Sequence, residues 1–326
     1  MKFGSHTSYV VLDRTFQGAN LRTAFVGLTL LSLVATVGAA SAAEKVVGEV
    51  AFELVHDEIV IEVFINGRGP FRMMVDTGTT PSAIDTAVAT KIGLRLGESA
   101  PGSGAGTEAI TAQETEFDEL SLGTFRAKKV AAATTDLTKL KVKVGPIDGV
   151  LGYSVLRGKI VQFDYPNRRL RFFSAFDARP AAKGSIARIP FRLNSYDGPI
   201  IDRVVVKNRR VTAILDTGSS EGLLFTPEAI RRIGFAEEMA KSRSSGAMGY
   251  AGTFTVLEGK IANVRIGTLT LESPDAIFTP PKSGHDGQGY DVNIGNRLMK
   301  EFVVTLDYKK KVVYFETVGT PANNPP

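Results

Sequence analysis

The chain has 326 residues, with 39 Lys and Arg against 34 Asp and Glu, three His and no Cys; 43% of it is hydrophobic and 22% charged. That composition is globular rather than disordered or fibrous, and the length suits one large domain or two lobes with cores of their own. The absence of Cys excludes a disulfide framework, thiolate metal ligation, a cysteine nucleophile and a lipidated cysteine, and three His leave little for a histidine-rich metal site or a Ser-His relay.

Residues 1–43 read as an address. Arg22 precedes an apolar run from Ala24 to Gly38, which Ala39-Ala40-Ser41-Ala42-Ala43 closes before Glu44. A basic flank, an apolar centre and small residues form the pattern of a secretory signal peptide, here behind an extended leader, Met1 to Asn20. The alternative is an uncleaved membrane anchor, since Ala24 to Ala43 is about long enough to span. Its Gly, Ser and Ala content makes a poor permanent span, so cleavage is the expectation. Loss of Lys2, Arg14, Arg22 and Asp13 leaves a net charge of +3, too balanced to argue for nucleic acid. No second apolar run of spanning length follows, so the expected product is exported, periplasmic or secreted, with no stable membrane insertion.

The rest reads as short strands. Glu58 to Phe64 alternates, Asn66-Gly67 turns the chain, and Phe71 to Val75 leads into Asp76-Thr77-Gly78; Asp85 and Gly93 then bracket a short helix. Lys159 to Asp164 and Arg169 to Phe173 form a hairpin about Pro166-Asn167. Asp177 to Ser185 reads as linker, with its core at 181–185. Strands follow at Asp202 to Lys207 and Val211 to Leu215, leading into Asp216-Thr217-Gly218. A helix starts at Thr226-Pro227-Glu228, with Thr as cap and Pro in the first turn, and stops at Gly234. Phe302 to Asp307 and Lys311 to Phe315 make the last hairpin, and 319–326 is a polar tail expected to fray. His56 and His285 read as surface or loop residues, Ser283 to Gly289 as a plain loop, and the Lys309 to Lys311 and Asn167 to Arg169 turns as solvated charge.

This order repeats. Asp76-Thr77-Gly78 recurs 140 residues on; Ile92-Gly93, Ser103-Gly104-Ala105, Leu122-Gly123-Thr124, Gly152 and Asp164-Tyr165 recur in the same sequence at offsets of 141 to 144. The chain therefore holds two homologous halves, read as 44–180 and 186–318. One Asp-Thr-Gly is usually only a turn. Two, one per half, allow a pseudo-two-fold axis to bring Asp76 and Asp216 face to face. Carboxylates in contact cannot both ionise cheaply, so one keeps a proton and the other stays charged. Such a pair is a general acid and a general base able to set water on a carbonyl, without metal or nucleophilic side chain.

Phe71 to Thr80 and Ala213 to Ser220 resemble the active-site motifs of the aspartic proteases. Gly149-Val150-Leu151-Gly152 and Val292-Asn293-Ile294-Gly295 resemble that family's hydrophobic-hydrophobic-Gly segment, and Phe163-Asp164-Tyr165 and Leu306-Asp307-Tyr308 also fit. The likeness covers nearly all of Val46 to Phe315 and is closest to the bacterial retropepsin-like type, with both copies fused in one chain. It implies an all-β fold of two closed-barrel lobes about a pseudo-two-fold axis, with the active-site cleft between them. It also implies residue roles. Asp76 and Asp216 would form the dyad, Thr77 and Thr217 would cross-brace the loops, and Gly78 and Gly218 would make the tight turns. Thr79 and Ser219 would donate to the outer carboxylate oxygens, pulling the dyad toward an acidic optimum of roughly pH 4–6. Glycine-rich segments around Gly102, Ser103 and Gly104, and around Ser245, Gly246 and Tyr250, lie where the family places flaps. Asn293 departs from the apolar pattern and is expected to cost packing.

The resulting expectation is an exported, monomeric aspartic endopeptidase acting on extended polypeptide, with no cofactor and no metal. The alternative is a non-catalytic relative that binds peptide or another ligand in the same cleft.

Overall fold

A computed structural model describes residues 44–102, 108, 110–178, 186–249 and 252–317. Among them 23 strands stand against six helices, none longer than seven residues, so the fold is all-β as the sequence pattern requires. The anticipated 1–43 leader, the 181–185 linker and the 319–326 tail lie outside the described residues.

The two halves are joined by a six-stranded antiparallel sheet. Its order is Lys45–Ala51, Arg169–Ala175, Ile160–Asp164, Phe302–Asp307, Val312–Thr317, Ile186–Leu193. At its centre Gln162 faces Thr305, which is its own counterpart in the repeat, and Gln162 Nε2 donates to Thr305 Oγ1 at 3.1 Å. A residue opposite its own counterpart marks the pseudo-two-fold axis. The hairpin strands read from the sequence thus acquire a partner that neither half has alone. Alternation puts Val161, Phe163, Val304 and Leu306 in the core. The fully buried Phe163, together with Phe117, Phe225 and Phe315, contributes about 1.5–3 kcal/mol per side chain. One contiguous apolar cluster includes residues of both halves.

Above this sheet each half repeats one device. In the first, Met73 to Val75 of strand Arg68–Val75 pairs in parallel with Gly149–Leu151, which also pairs with Ser82–Asp85. In the second, Ala213 to Leu215 pairs in parallel with Val292–Ile294, itself flanked by Leu223–Phe225. The hydrophobic segment of each half therefore runs beneath the loop that carries its Asp. The glycine that ends it is required by space. A Cβ on Gly152 would stand 2.3 Å from Thr79 O, and one on Gly295 2.4 Å from Glu221 O and 2.5 Å from Ser219 O. Both are closer than any carbon can approach backbone.

The short helices after each Asp loop form where the caps predict. Thr226 accepts from the Ala229 N–H at 3.2 Å, Pro227 opens the helix Pro227–Ile233, and Gly234 ends it at φ +83°. Asp85 caps Thr86–Lys91 in the same way through the Ala87 N–H. A third helix, Thr138–Val144, was not anticipated. It covers Val60, Met74, Ala83 and Val150, on the other side of the first-half sheet, with its Leu140 and Val144.

Candidate active site

Asp76 and Asp216 each follow the last residue of a buried strand, and each backbone N–H is tied to the segment beneath, Asp76 N to Leu151 O at 2.9 Å and Asp216 N to Ile294 O at 3.0 Å. The next residues lock the loops together. Thr77 N–H donates to Thr217 Oγ1 and Thr217 N–H to Thr77 Oγ1, both at 3.0 Å. The hydroxyls continue across, Thr77 Oγ1 to Leu215 O at 2.6 Å and Thr217 Oγ1 to Val75 O at 2.9 Å. Each threonine is 1% exposed, so these four bonds lie out of water, where an unmade partner is costly. The cross-brace read from the two motifs is present in full.

The glycines of the motif let the carboxyl groups meet. Gly78 N–H donates to Asp76 Oδ1 at 2.7 Å and Gly218 N–H to Asp216 Oδ1 at 3.0 Å. A Cβ on Gly78 would lie 2.9 Å from Asp216 Oδ1, and one on Gly218 between 2.3 and 2.6 Å from the whole Asp76 carboxyl. Each carboxyl thus sits over the other loop's glycine, and the two are hydrogen-bonded to each other. Asp76 is buried and Asp216 half-buried. Burial, then the facing charge of Asp216, holds Asp76 well above the ordinary carboxylate range, against the opposing pull of Thr79 and the Gly78 N–H. At Asp76, desolvation and like charge outweigh the outer donors that the resemblance implies would lower it.

Those outer donors differ between the halves. Thr79 Oγ1 donates to Asp76 Oδ2 at 2.5 Å, as expected. Ser219 does not match it; its Oγ accepts from the Glu221 N–H at 3.4 Å. The outer oxygen of Asp216 is instead held by Asn293, whose Nδ2 donates to Oδ2 at 2.5 Å. Asn293 is only 2% exposed, so the residue expected to cost packing is a partner of the site. The signal for it was visible as an amide in a slot that the first copy fills with Val150.

Other groups reach the site from afar. Tyr165 donates to Asn296 Oδ1 at 2.7 Å, and Asn296 Nδ2 donates to Thr217 O at 2.7 Å, linking the interlobe sheet to the second loop. Glu58, fully buried, is bonded to Lys143 Nζ at 2.7 Å, yet burial raises its pKa to about 7, with Asp216 adding to the rise. His285, read as a surface or loop residue, lies in a loop but is buried against Phe254, ring to ring at 5.8 Å, and burial lowers its pKa while Asp216 opposes. The Ser283 to Gly289 segment is a loop, as read, with Ser283 and His285 buried.

The glycine-rich segments read as flaps fall in two hairpins. Ser99–Gly102 pairs with the start of Ile110–Leu122, placing Gly102 opposite Ile110. Arg243–Gly249 pairs with Gly252–Lys260, with Ser245 opposite Val256 and Gly246 opposite Thr255. Their ends approach each other, since a Cβ on Gly252 would stand 2.8 Å from Glu108 Oε1, and Glu108 pairs with Lys139. Ser103, Gly104 and Tyr250 lie outside the described residues. Among the described residues no three His, Asp or Glu side chains converge as a metal site, and no helix is long and apolar enough to cross a membrane. A surface cavity of about 630 Å³, lined by Glu237, Lys241, Arg243, Glu258 and Arg297, includes neither aspartate.

Comparison with known proteins agrees with this geometry. The profile of a family described as aspartyl protease matches twice, over residues 61–155 and 203–297, one match around each Asp-Thr-Gly. Among solved structures, the aspartic proteinase from Irpex lacteus aligns with a TM-score of 0.53 at 15% identity, covering 85% of this chain and 99% of that one. At that identity the likeness concerns the fold. No curated protein sequence gives a significant match. Two profile matches in register over more than half of the chain establish that it belongs to the aspartyl protease family.

Proposed function

We propose that the protein is an exported aspartic endopeptidase that hydrolyses peptide bonds in extended polypeptides with a water activated between Asp76 and Asp216. The observation that carries this reading is the pair itself: two carboxyl groups in hydrogen-bonding contact, each oriented by its own loop's glycine N–H, on loops cross-tied through Thr77 and Thr217. The charged carboxylate takes a proton from water as the water oxygen bonds to the peptide carbonyl carbon. The protonated partner gives its proton to the carbonyl oxygen, so a neutral gem-diol forms. The reverse transfers then protonate the leaving nitrogen and restore the starting pair. The hairpins carrying Gly102 and Ser245–Gly246 act as flaps that hold substrate in extended form by strand addition. Since Asp76 keeps its proton well above the ordinary carboxylate range, activity extends from acidic pH toward neutral before that proton is lost.

The test is cleavage of a mixed peptide library from acidic to neutral pH, with Asp76→Asn and Asp216→Asn alongside. Each substitution is expected to lower kcat by about 10²–10⁴-fold. No cleavage at any pH by folded protein, or full activity in either variant, defeats the reading and leaves a peptide-binding relative of the proteases. Export through residues 1–43 is part of the proposal; N-terminal sequencing of protein recovered outside the cytoplasm should find a start near Glu44. Sedimentation should show a monomer, because one chain supplies both aspartates.

A further inference from the structure

The two carboxyl groups are held at their outer oxygens by donors of different chemical kinds. Thr79 offers a hydroxyl to Asp76, and a hydroxyl rotates: it donates to a carboxylate and accepts from a carboxylic acid with equal ease. Asn293 offers Asp216 an amide N–H, which only donates. Nδ2 has a second hydrogen, and Tyr290 lies within hydrogen-bonding reach of the same side chain. The amide is locked in place because Val292–Ile294 pairs with strands on both sides, at Ala213 to Leu215 and at Leu223–Phe225. Its Oδ1 is buried with no hydrogen-bond partner, so the side chain gives up one polar contact while keeping the one to the aspartate.

We propose that Asn293 is a positioning residue that fixes the polarity of the pair, holding Asp216 as the charged, water-activating carboxylate and leaving the proton on Asp76. This rests on the aspartic endopeptidase reading for its catalytic consequence, though not for its electrostatic one. A fixed polarity means that the proton for the carbonyl oxygen always starts on the first-half aspartate, and a substrate need meet only one protonic form of the pair. The charged and titratable groups facing Asp216 are Asp76 across the loops, Glu58 from strand Glu58–Ile65, and His285 and Tyr290 from the loop before Val292. Deprotonated Asp76 or Glu58 would work against the anion. Besides the Asp76 carboxyl itself, the donors bonded to it are Asn293 and the Gly218 N–H.

The experiment removes the second carboxyl so that the titration belongs to one group. Full-length protein with ¹³C-labelled carboxyls is followed by NMR across pH as Asp76→Asn and as Asp76→Asn with Asn293→Val, the residue type that Val150 places at the matching position. Loss of the donor is expected to raise the ionisation of Asp216 by about one pH unit, with thermal unfolding little changed. In the active pair, Asn293→Val alone should move the acid limb of kcat upward by a similar amount and lower kcat about tenfold, with KM within about twofold. Asn293→Ala, which removes the donor and leaves space, should shift the titration equally, guarding against a packing defect peculiar to valine. Identical Asp216 titration with and without Asn293 overturns the proposal. So does a fall in that pKa, which would mean that the amide sits turned over with Oδ1 accepting from a protonated Asp216. The titration needs no turnover, so a protein that cleaves nothing would defeat the protease reading while this assignment still stands or falls on the NMR result.

Discussion

The two halves have the same backbone and different chemistry at the point where they meet. Both carry an Asp-Thr-Gly loop over a parallel-paired hydrophobic strand, and both end that strand in a glycine with no room for a side chain. Around the carboxyl groups they part company. The first half holds its aspartate with a hydroxyl from its own loop, the second with an amide from the strand beneath. The first buries an acid, Glu58, where the second has Gly198; the second buries Asn296 where the first has Tyr153. A duplication preserves the frame because every backbone bond depends on it, and side chains near the axis are freer to diverge because each faces the other half instead of its own copy.

The sharpest test of that frame is the pair of motif glycines. Gly218→Ala would drive a Cβ into the Asp76 carboxyl at 2.3 Å from Cγ, whereas Gly78→Ala meets Asp216 Oδ1 at 2.9 Å. A misplacement of the carboxyl pair of about 1 Å costs about 10²-fold, and a loss of that order in kcat is expected for Gly218→Ala. Gly78→Ala, with less to displace, should cost distinctly less. Equal losses in steady-state peptide cleavage would mean that the loops relax alike and that the asymmetry at the glycines has no functional weight.

How much of this was legible beforehand follows from the range of each interaction. The strand Glu58–Ile65, the helix capped by Thr226 and the hairpin strands Ile160–Asp164 and Phe302–Asp307 were readable because alternation, capping and turn chemistry act within a few residues. The dyad was readable because duplication makes a long-range contact appear as a local motif written twice. Asn293 was readable only as an oddity, since nothing near it in sequence says that its amide reaches an aspartate 77 residues away. Ser219 was misassigned for the complementary reason: it stands in the right place in the motif, but an amide from another strand occupies the oxygen it would have bonded. The burial of His285 and the Glu58–Lys143 pair likewise depend on packing between distant segments.

Glu58 gives a test that reads stability instead of rate. In the fold it holds its proton to about pH 7, against 4.5 when free. Between those values the folded chain binds more protons than the unfolded one, so this residue's contribution falls as pH rises through that window and is fully present only below it. The shift corresponds to about 3 kcal/mol. Glu58→Gln should therefore lose that decline: relative to wild type it becomes more stable from pH 4.5 to above 7, measured by urea unfolding across pH. Parallel curves for the two proteins would show that the ion pair with Lys143 fully offsets the burial, and would remove Glu58 from the list of differences between the halves.

The smallest expected effect separates the two buried tyrosines that occupy the same place in each copy. Tyr165 donates to Asn296, which holds Thr217 O, so its hydroxyl is one link of a buried chain to the second loop. Tyr308 is equally enclosed beside Tyr153, with ring centroids 5.6 Å apart, but its hydroxyl has no hydrogen-bond partner. Removing a hydroxyl that leaves a buried acceptor stranded costs about 1–3 kcal/mol, while removing one that bonds to nothing relieves a desolvation cost. Tyr165→Phe should therefore destabilise by that amount in urea unfolding and Tyr308→Phe should stay within about 0.5 kcal/mol of wild type or rise above it. If Tyr308→Phe proves as costly as Tyr165→Phe, its hydroxyl is bonded in solution. The axis would then be satisfied on both sides, and the divergence between the halves would be confined to the groups that touch the aspartates.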